Sequence, residues 1–546
     1  MLEVGDTFAK RVSFGLFFVI FLYVFFQYAW LTEDAFINFR VLENMRGGQG
    51  FVWNPGERVQ VFTSALWLFL NYFAYEISGQ IFQAAIFLSL LLVSAVMIVF
   101  YVLAERRTGL FLLSVSPFLL SRSLRDYMTS GLETPLVMLA ITFFVLALVK
   151  AKIHRGLWLG LATSMCLLTR HDIFVVVLPF LIFEIVGAWG RPHGWRHFAV
   201  GFAAGLVPFL LWTGFSLVYF GLPVPNTARA KVVGGDTVAQ SLMYLEYMRH
   251  FDPLAYFALA GSLLLQFSVR SKYRFAYLVS IFFFLVYIAS VGADYMIGRF
   301  FVGPLVLSLA LSVHAVRDRS GDKDVSTLLS SARSGLIIVG MLLLLGFRVN
   351  NESRYWDARP VFVSGIVDER HVYYGQTDLE TIAQSGVLGH FKDNARHMRD
   401  PGGIYMACNI GMAVYYADRA VRVIDPLALS DFFLAGLRPL PSARIGHFER
   451  PVPIEYIKSL QQERNAFTDA RVAAYFNDTL LITRSHELFS AERFRAIYRV
   501  LTGAHSEALR LASVSPALVG GFVEVPATEK TSVACAGAGT RVIRFK

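Results

Sequence analysis

Long apolar stretches separated by short polar loops fill roughly the first 350 residues. The first runs from Val12 to Leu31. About 20 residues are enough to cross a bilayer core of roughly 30 Å. It follows Lys10 and Arg11 and ends in FFQYAWL without a small-residue cleavage site. It therefore reads as a retained first span, not a removable signal peptide. Further runs fall at about 80–104, 109–121, 134–150, 156–169, 173–190, 197–220, 253–268, 274–293, 300–316 and 333–348.

The apolar run at 61–77 decides how the loops divide. If it spans, the basic loops end up inverted; if it lies in the interface, they fall into two sets. ERR (105–107), KAKIHR (150–155), GRPHGWRH (190–197), RSKYR (270–274) and RDRSGDKD (317–324) are then inside. LTEDAF, SRSLRDYMTSGLE, TRHD, LPVPNTARAK and GADYMIGR are outside. The excess of Lys and Arg in cytoplasmic loops favours the second choice. The expectation is a polytopic α-helical membrane protein of about eleven spans with a cytoplasmic amino terminus.

Beyond about 350 the pattern changes. GGIYMACNIGMAVYYADRAVRVIDP (402–426) reads as strand–helix–strand, and GFVEV (521–525) and TRVIRF (540–545) alternate like strands. The expected organisation is a transmembrane domain at 1–349 and an extracytoplasmic α/β domain at 350–546.

Composition supports the membrane class: 55% of residues are hydrophobic and 16% charged, where a soluble domain carries about 25% charge. The net charge of +10 does not argue for nucleic acid, because the basic clusters sit in short loops between apolar runs. Of three cysteines, Cys166 lies in an apolar run, while Cys408 and Cys535 are a pair that an oxidising compartment would allow to bond. Walker A, GxGxxG and HExxH patterns are absent. The DKD triplet at 322–324 sits among basic residues and reads as chance.

The outward loops hold most of the polar residues suited to chemistry. Glu33 and Asp34 follow the first span within four residues, where water is close enough to keep a carboxylate ionised. In the bilayer centre one would cost about 3 kcal/mol. DAFINFRVLENMR has helical spacing, with Ala35, Phe39 and Leu42 on one face, and Gly47, Gly48, Gly50 and Pro55-Gly56 then force a turn. Arg122, Arg125, Asp126 and Glu133 occupy the second loop, and Arg170, His171 and Asp172 the third. The plain reading of such a tight connection is an ion-pair network tying spans together. Asn226, Arg229 and Lys231 lie in the fourth loop, Asp294 and Arg299 in the fifth. Converging Arg and Lys bind phosphate through charge-assisted hydrogen bonds, and a carboxylate beside them can act as a base toward a hydroxyl.

In this order the residues resemble the GT-C membrane glycosyltransferases, and more closely the arabinofuranosyltransferases of the AftB and TfpW type. The matching stretches are EDAFINFRVLENMRGGQGFVWNPGERV, TSGLETPL, LTRHD, PNTARAK, GADYMIGRF, GIVDERHVYY, IDPLALSDFFLA and RIGHFER. The sequence departs from the pattern at Glu33, where a double Asp is usual, and at Ala293, where a second Gly is common.

The resemblance implies polyprenyl-phosphoryl D-arabinofuranose as donor and a glycan or protein such as pilin as acceptor, with membrane lipids but no nucleic acid as partners. Asp34, or Glu33, would orient or deprotonate the acceptor hydroxyl. Arg170, His171, Lys231, Arg299 and Arg125 would hold the donor phosphate. Asp294, Asn226, Asp126 and Glu133 would contact sugar, and Asp425, Asp431, Arg444 and His447 the acceptor, although Asp-Pro and Gly-His pairs are as often turn-formers. No metal or other cofactor is expected, since a lipid monophosphate carries less charge than a nucleotide diphosphate. Another donor sugar such as mannose stays open. Two other classes compete: a flippase for a lipid-linked sugar, which predicts charges near the midplane, and an assembly protein, which leaves the charged outer loops unexplained. The expected location is the bacterial inner membrane, with the site facing the periplasm.

Overall fold

A computed structural model describes residues 2–189, 194–231, 236–319, 362–363, 365–385, 395–396, 398–441, 443, 446–514, 517–519, 523–525 and 542–545. The expected span at 333–348, the DKD triplet, Arg444 and Cys535 lie outside the described residues; Cys408 is disulfide-bonded and Cys166 free.

Apolar runs become helices because lipid offers the backbone no hydrogen bonds, so each segment must satisfy its own. The run at 80–104 becomes Ile81–Leu103, 134–150 becomes Thr134–Lys150, and 253–268 becomes Pro253–Ser268. Pro135 and Pro253 stand in the first turns of their helices, where an N–H would be unpaired anyway. Among the described residues four helices are long and apolar enough to cross a bilayer: Ile81–Leu103, Gly194–Phe220, Arg274–Val291 and Arg299–Arg317. Five more apolar helices have 10–17 residues. The chain is a helical membrane protein. The run at 61–77 appears as helix Ala65–Ser78, 14 residues or about 21 Å long, too short to cross alone.

Contacts divide the chain into two compact units, neither continuous in sequence. The first comprises Met1–Leu31, Phe69–Phe209 and Val238–Glu380; the second Thr32–Leu68, Leu210–Thr237 and Thr381–Lys546.

At the centre of the first unit Thr134–Lys150 packs against Arg155–Thr169, Ile81–Leu103 and Val302–Arg319. Arg155–Thr169 meets Gly194–Phe220 backbone to backbone. A Cβ on Gly156, Gly160 or Gly205 would collide with main-chain atoms of the other helix, which is why small residues recur there at a spacing of four. Large apolar side chains such as Val186, Leu211 and Phe257 point outward, as a lipid-facing surface requires.

Among the described residues the second unit holds two small sheets. Ile404–Ala407 pairs in parallel with Arg422–Ile424 and antiparallel with Val542–Phe545, so the expected strand–helix–strand forms around the short helix Met412–Tyr415. Val452–Pro453, Ala517–Val519 and Val523–Val525 make the other sheet. The core beside them is aromatic: Phe433 stacks on Tyr456 at 4.7 Å and lies against Tyr475, Phe467 and Phe476. Buried Arg493 closes the end of helix Gly194–Phe220 by donating to the carbonyls of Val218 and Tyr219, satisfying acceptors that have no partner inside the helix.

Candidate functional site

The two acids after the first helix belong to the second unit, at the start of helix Ala35–Arg46. Phe36 N donates to Glu33 O (3.1 Å) and Ile37 N to Asp34 O (3.2 Å), so both acids sit at its first turn. Arg40 and Asn44 fix this helix. Arg40 donates to Val414 O (2.7 Å) and lies over the Trp53 ring at 5.3 Å; Asn44 donates to Val52 O and Trp53 O. The glycine-rich turn at 47–56 thus returns its backbone to the helix.

From this shared turn the acids diverge. The Glu33 Oε1 accepts from Gly411 N (2.6 Å) and Met412 N (3.2 Å), and the residue is buried. A Cβ on Gly411 would collide with the Glu33 carbonyl oxygen and carboxylate. Burial, reinforced by Asp34, pushes the Glu33 carboxyl up to about 8 against those two hydrogen bonds. Asp34, at the start of the same helix, is half-buried and keeps some contact with solvent.

The first unit gathers three of the expected outer loops and adds a fourth segment. Arg170 donates to both Asp172 oxygens (2.9 and 2.6 Å) and to Glu133 Oε1 (3.0 Å). Arg299 donates to Asp294 Oδ2 at 2.6 Å. Burial works against the Arg170 guanidinium charge, but Asp172 and Glu133 hold it above its usual range. Burial likewise opposes ionisation of Asp172, and Arg170 overcomes it, so that carboxyl is lowered. A cavity of about 40 Å³ borders Arg170, Asp172, Arg299, Thr134, Tyr287 and Phe300, with room for a few water molecules. Among the described residues two guanidinium groups face three carboxyl groups here, so a phosphate entering this cluster would have to displace a carboxylate. Burial lowers the His171 imidazole while Asp172 opposes it, which weakens His171 as a cation.

The turn between Arg274–Val291 and Arg299 positions Asp294. Gly292 (φ 78°) and Ala293 (φ 63°) are both left-handed. A side chain at Gly298 would meet Phe251 at 2.7 Å and Ser123 at 3.0 Å. GIVDERHVYY runs against GADYMIGRF: Val367 N donates to Tyr295 O (2.7 Å) and Ile297 N to Val367 O (3.0 Å).

Other expected residues are engaged in structure. Asn226 is buried and donates to the carbonyls of Ala428, Leu429 and Asp431. Asp425 accepts from Leu427 N and Ser430 N, and burial pushes it up to about 6. Asp431 accepts from Leu434 N and Tyr456 OH, and burial pushes it up to about 7. Arg125 lies fully buried over the Tyr28 ring at 4.2 Å. Burial raises Asp126 against the pull of Arg370, Arg122 and Arg125. Lys231, in the last turn of helix Asn226–Lys231, and His447 are half-exposed.

Several further charged groups lie outside the roles expected from sequence. Arg122 joins Asp368 (2.5 Å) and Asp126 (3.3 Å), and Asp252 accepts from Ser121 Oγ and Ser123 N. In the second unit Glu57 is paired with Arg484 and lies 3.6 Å from Arg422. Asp368 and Glu57 stand within motifs already singled out by resemblance; Asp252 carries no local signal.

Comparison with known proteins gives two relatives. A terminal beta-(1->2)-arabinofuranosyltransferase of Mycobacterium tuberculosis is 26% identical, covering 80% of this chain and 83% of that protein. The protein of the same name from Corynebacterium glutamicum is 28% identical over 40% of this chain and 35% of its own length. No family model and no solved structure matches. The homology agrees with the motif resemblance and identifies an enzyme of the glycosyltransferase class.

Proposed function

We propose that this glycosyltransferase moves D-arabinofuranose from a polyprenyl-phosphate donor to an acceptor outside the cytoplasm, with Asp34 as the base. The observation that carries the reading is the division of labour at the first turn of helix Ala35–Arg46. Glu33 is buried and bonded to backbone N–H groups, while its neighbour Asp34 stays half-exposed. A base must reach the proton that it abstracts, and burial denies that to Glu33.

In this reaction Asp34 takes the acceptor hydroxyl proton as the acceptor oxygen bonds to the anomeric carbon. The bond from that carbon to the phosphate oxygen breaks, and its electron pair leaves with the polyprenyl phosphate. Arg299 and Arg170 stabilise the growing negative charge after exchanging a carboxylate partner for phosphate. Lys231 stands as a further cation, and Asp294, Glu133 and His447 as sugar contacts. The more deeply engaged Asn226, Asp126, Asp425, Asp431 and Arg125 act as positioning residues in this scheme. About eleven spans, a cytoplasmic amino terminus and an extracytoplasmic 350–546 segment complete it. No metal is required, so chelation with EDTA leaves the rate of transfer unchanged; a rate that collapses and returns with added Mg²⁺ contradicts this point.

The test of the donor uses purified protein in nanodiscs with synthetic polyprenyl-phosphoryl arabinofuranose and, separately, the mannose analogue. Arabinose transfer to an oligoarabinoside is expected. Use of the mannose donor alone, or movement of the arabinose donor across the bilayer without transfer, overturns the assignment.

A further inference from the structure

Helix Arg155–Thr169 carries Arg155 at one end and is followed by Arg170 at the other. Fifteen residues at 1.5 Å each separate them by about 22 Å. The end opposite the Arg170 cluster has a larger cavity, about 920 Å³, between this helix, Ile173–Trp189 and the start of Gly194–Phe220. Three basic loops that are far apart in sequence meet there. Lys152, His154 and Arg155 come from the first, His197 from the second and Lys272 from the third.

Among the described residues that line the cavity, Glu184 is the one carboxylate. Arg155 Nε donates to Glu184 Oε2 at 2.6 Å, and Tyr273 OH donates to Glu184 Oε1 at 3.0 Å. Lys152, Arg155 and Lys272 thus line the cavity beside that carboxylate. Apolar side chains, among them Phe183, Phe198 and Ala204, make up much of the remaining lining. The glycine crossing at Gly156, Gly160, Gly201 and Gly205 fixes two of the three helices, so the cleft is preformed.

Two tryptophans mark its depth. Trp189 and Trp195 are 73% and 46% exposed and stack at 6.2 Å. Exposed Trp at a helix end belongs at the headgroup level of a membrane. The rim of the cleft therefore lies among headgroups and its walls among acyl chains.

We infer that this cleft binds an anionic phospholipid, with the headgroup phosphate at Lys152 and Lys272 and an acyl chain against Phe183 and Phe198. A free phosphate would find the same cations but gain nothing from the apolar walls. Basic pockets between membrane helices take anionic headgroups on this principle. The inference does not depend on the transferase reading, since the cleft lies at the other end of the helices that carry Arg170.

The test is native mass spectrometry of the full-length protein in detergent, titrated with phosphatidylglycerol or phosphatidylcholine. The wild type is expected to retain phosphatidylglycerol at least roughly tenfold more tightly than phosphatidylcholine. The double variant Lys152→Ala/Lys272→Ala loses that preference by a similar factor. A second variant, Gly187→Phe, narrows the cleft while keeping every charge; a Cβ at Gly187 meets nothing within 4 Å, and a thermal melt checks that the variant folds. It too should release the lipid. Equal retention of the two lipids by the wild type, or wild-type retention by both variants, overturns the inference. So does complete displacement of the lipid by 10 mM inorganic phosphate, which would make this a free-anion site.

Discussion

At the scale of single residues, burial separates Glu33 from Asp34, and the separation has consequences for pH. The Glu33 carboxyl is raised from 4.5 to about 8 by burial and by Asp34. The folded state thus holds its proton more tightly than the unfolded chain. The stabilisation is complete below about pH 4.5 and is lost as pH rises toward 8. Asp425 and Asp431, raised by burial to about 6 and about 7, act in the same direction. Melting temperature is therefore expected to fall between pH 5 and 8, and Glu33→Gln should flatten that decline; an identical slope in the variant would show that Glu33 does not titrate in this window. At Ala293 the sequence has a side chain where the backbone is left-handed, φ 63°. Such a conformation costs an ordinary residue about 1 kcal/mol. Ala293→Gly should raise stability by about that amount in a thermal melt, and a destabilised variant would refute the strain.

Among elements, what the sequence made legible was what depends on local pattern. After the first run, which starts ten residues inside helix Leu2–Gln27, the apolar runs among the described residues located their helices to within a few residues, because a lipid-facing segment must be both apolar and internally hydrogen-bonded. Helix Thr237–Phe251 escaped notice. Its exposed side carries Glu246, Arg249 and His250, and only Gln240, Ser241, Tyr244, Met248 and Phe251 turn inward. The pairing of Val367 with the 295–297 backbone was hidden too, since hydrogen bonds between distant segments leave no periodic trace. Of the loops that the motif order singled out, three bring Glu133, Arg170, Asp172, Asp294 and Arg299 together. It could not show that acids outnumber cations there. Close packing of elements sets the next prediction. Gly411→Ala drives a methyl group into Glu33, and overpacking of this kind costs about 1–3 kcal/mol. A melting temperature equal to wild type would mean that the 411–412 turn does not hold Glu33.

For the whole molecule, the chain weaves between its two units: the 32–68 and 210–237 segments join the carboxy-terminal part, and 365–380 joins the helices. Composition changes once, near 350, so the interleaving could not be read from it. Mass analysis of cell-envelope glycan and pilin from a deletion strain addresses the acceptor, with loss of terminal arabinose expected on one of them and an unaltered envelope and pilin counting against the proposed transfer. The most direct measurement is the rate of arabinose transfer by Asp34→Asn beside Glu33→Gln, each in protein that still melts cooperatively. The account predicts that Asp34→Asn lowers kcat by about 10²–10⁴-fold while Glu33→Gln keeps most of the wild-type rate. A wild-type rate in Asp34→Asn, or loss in Glu33→Gln alone, would contradict it.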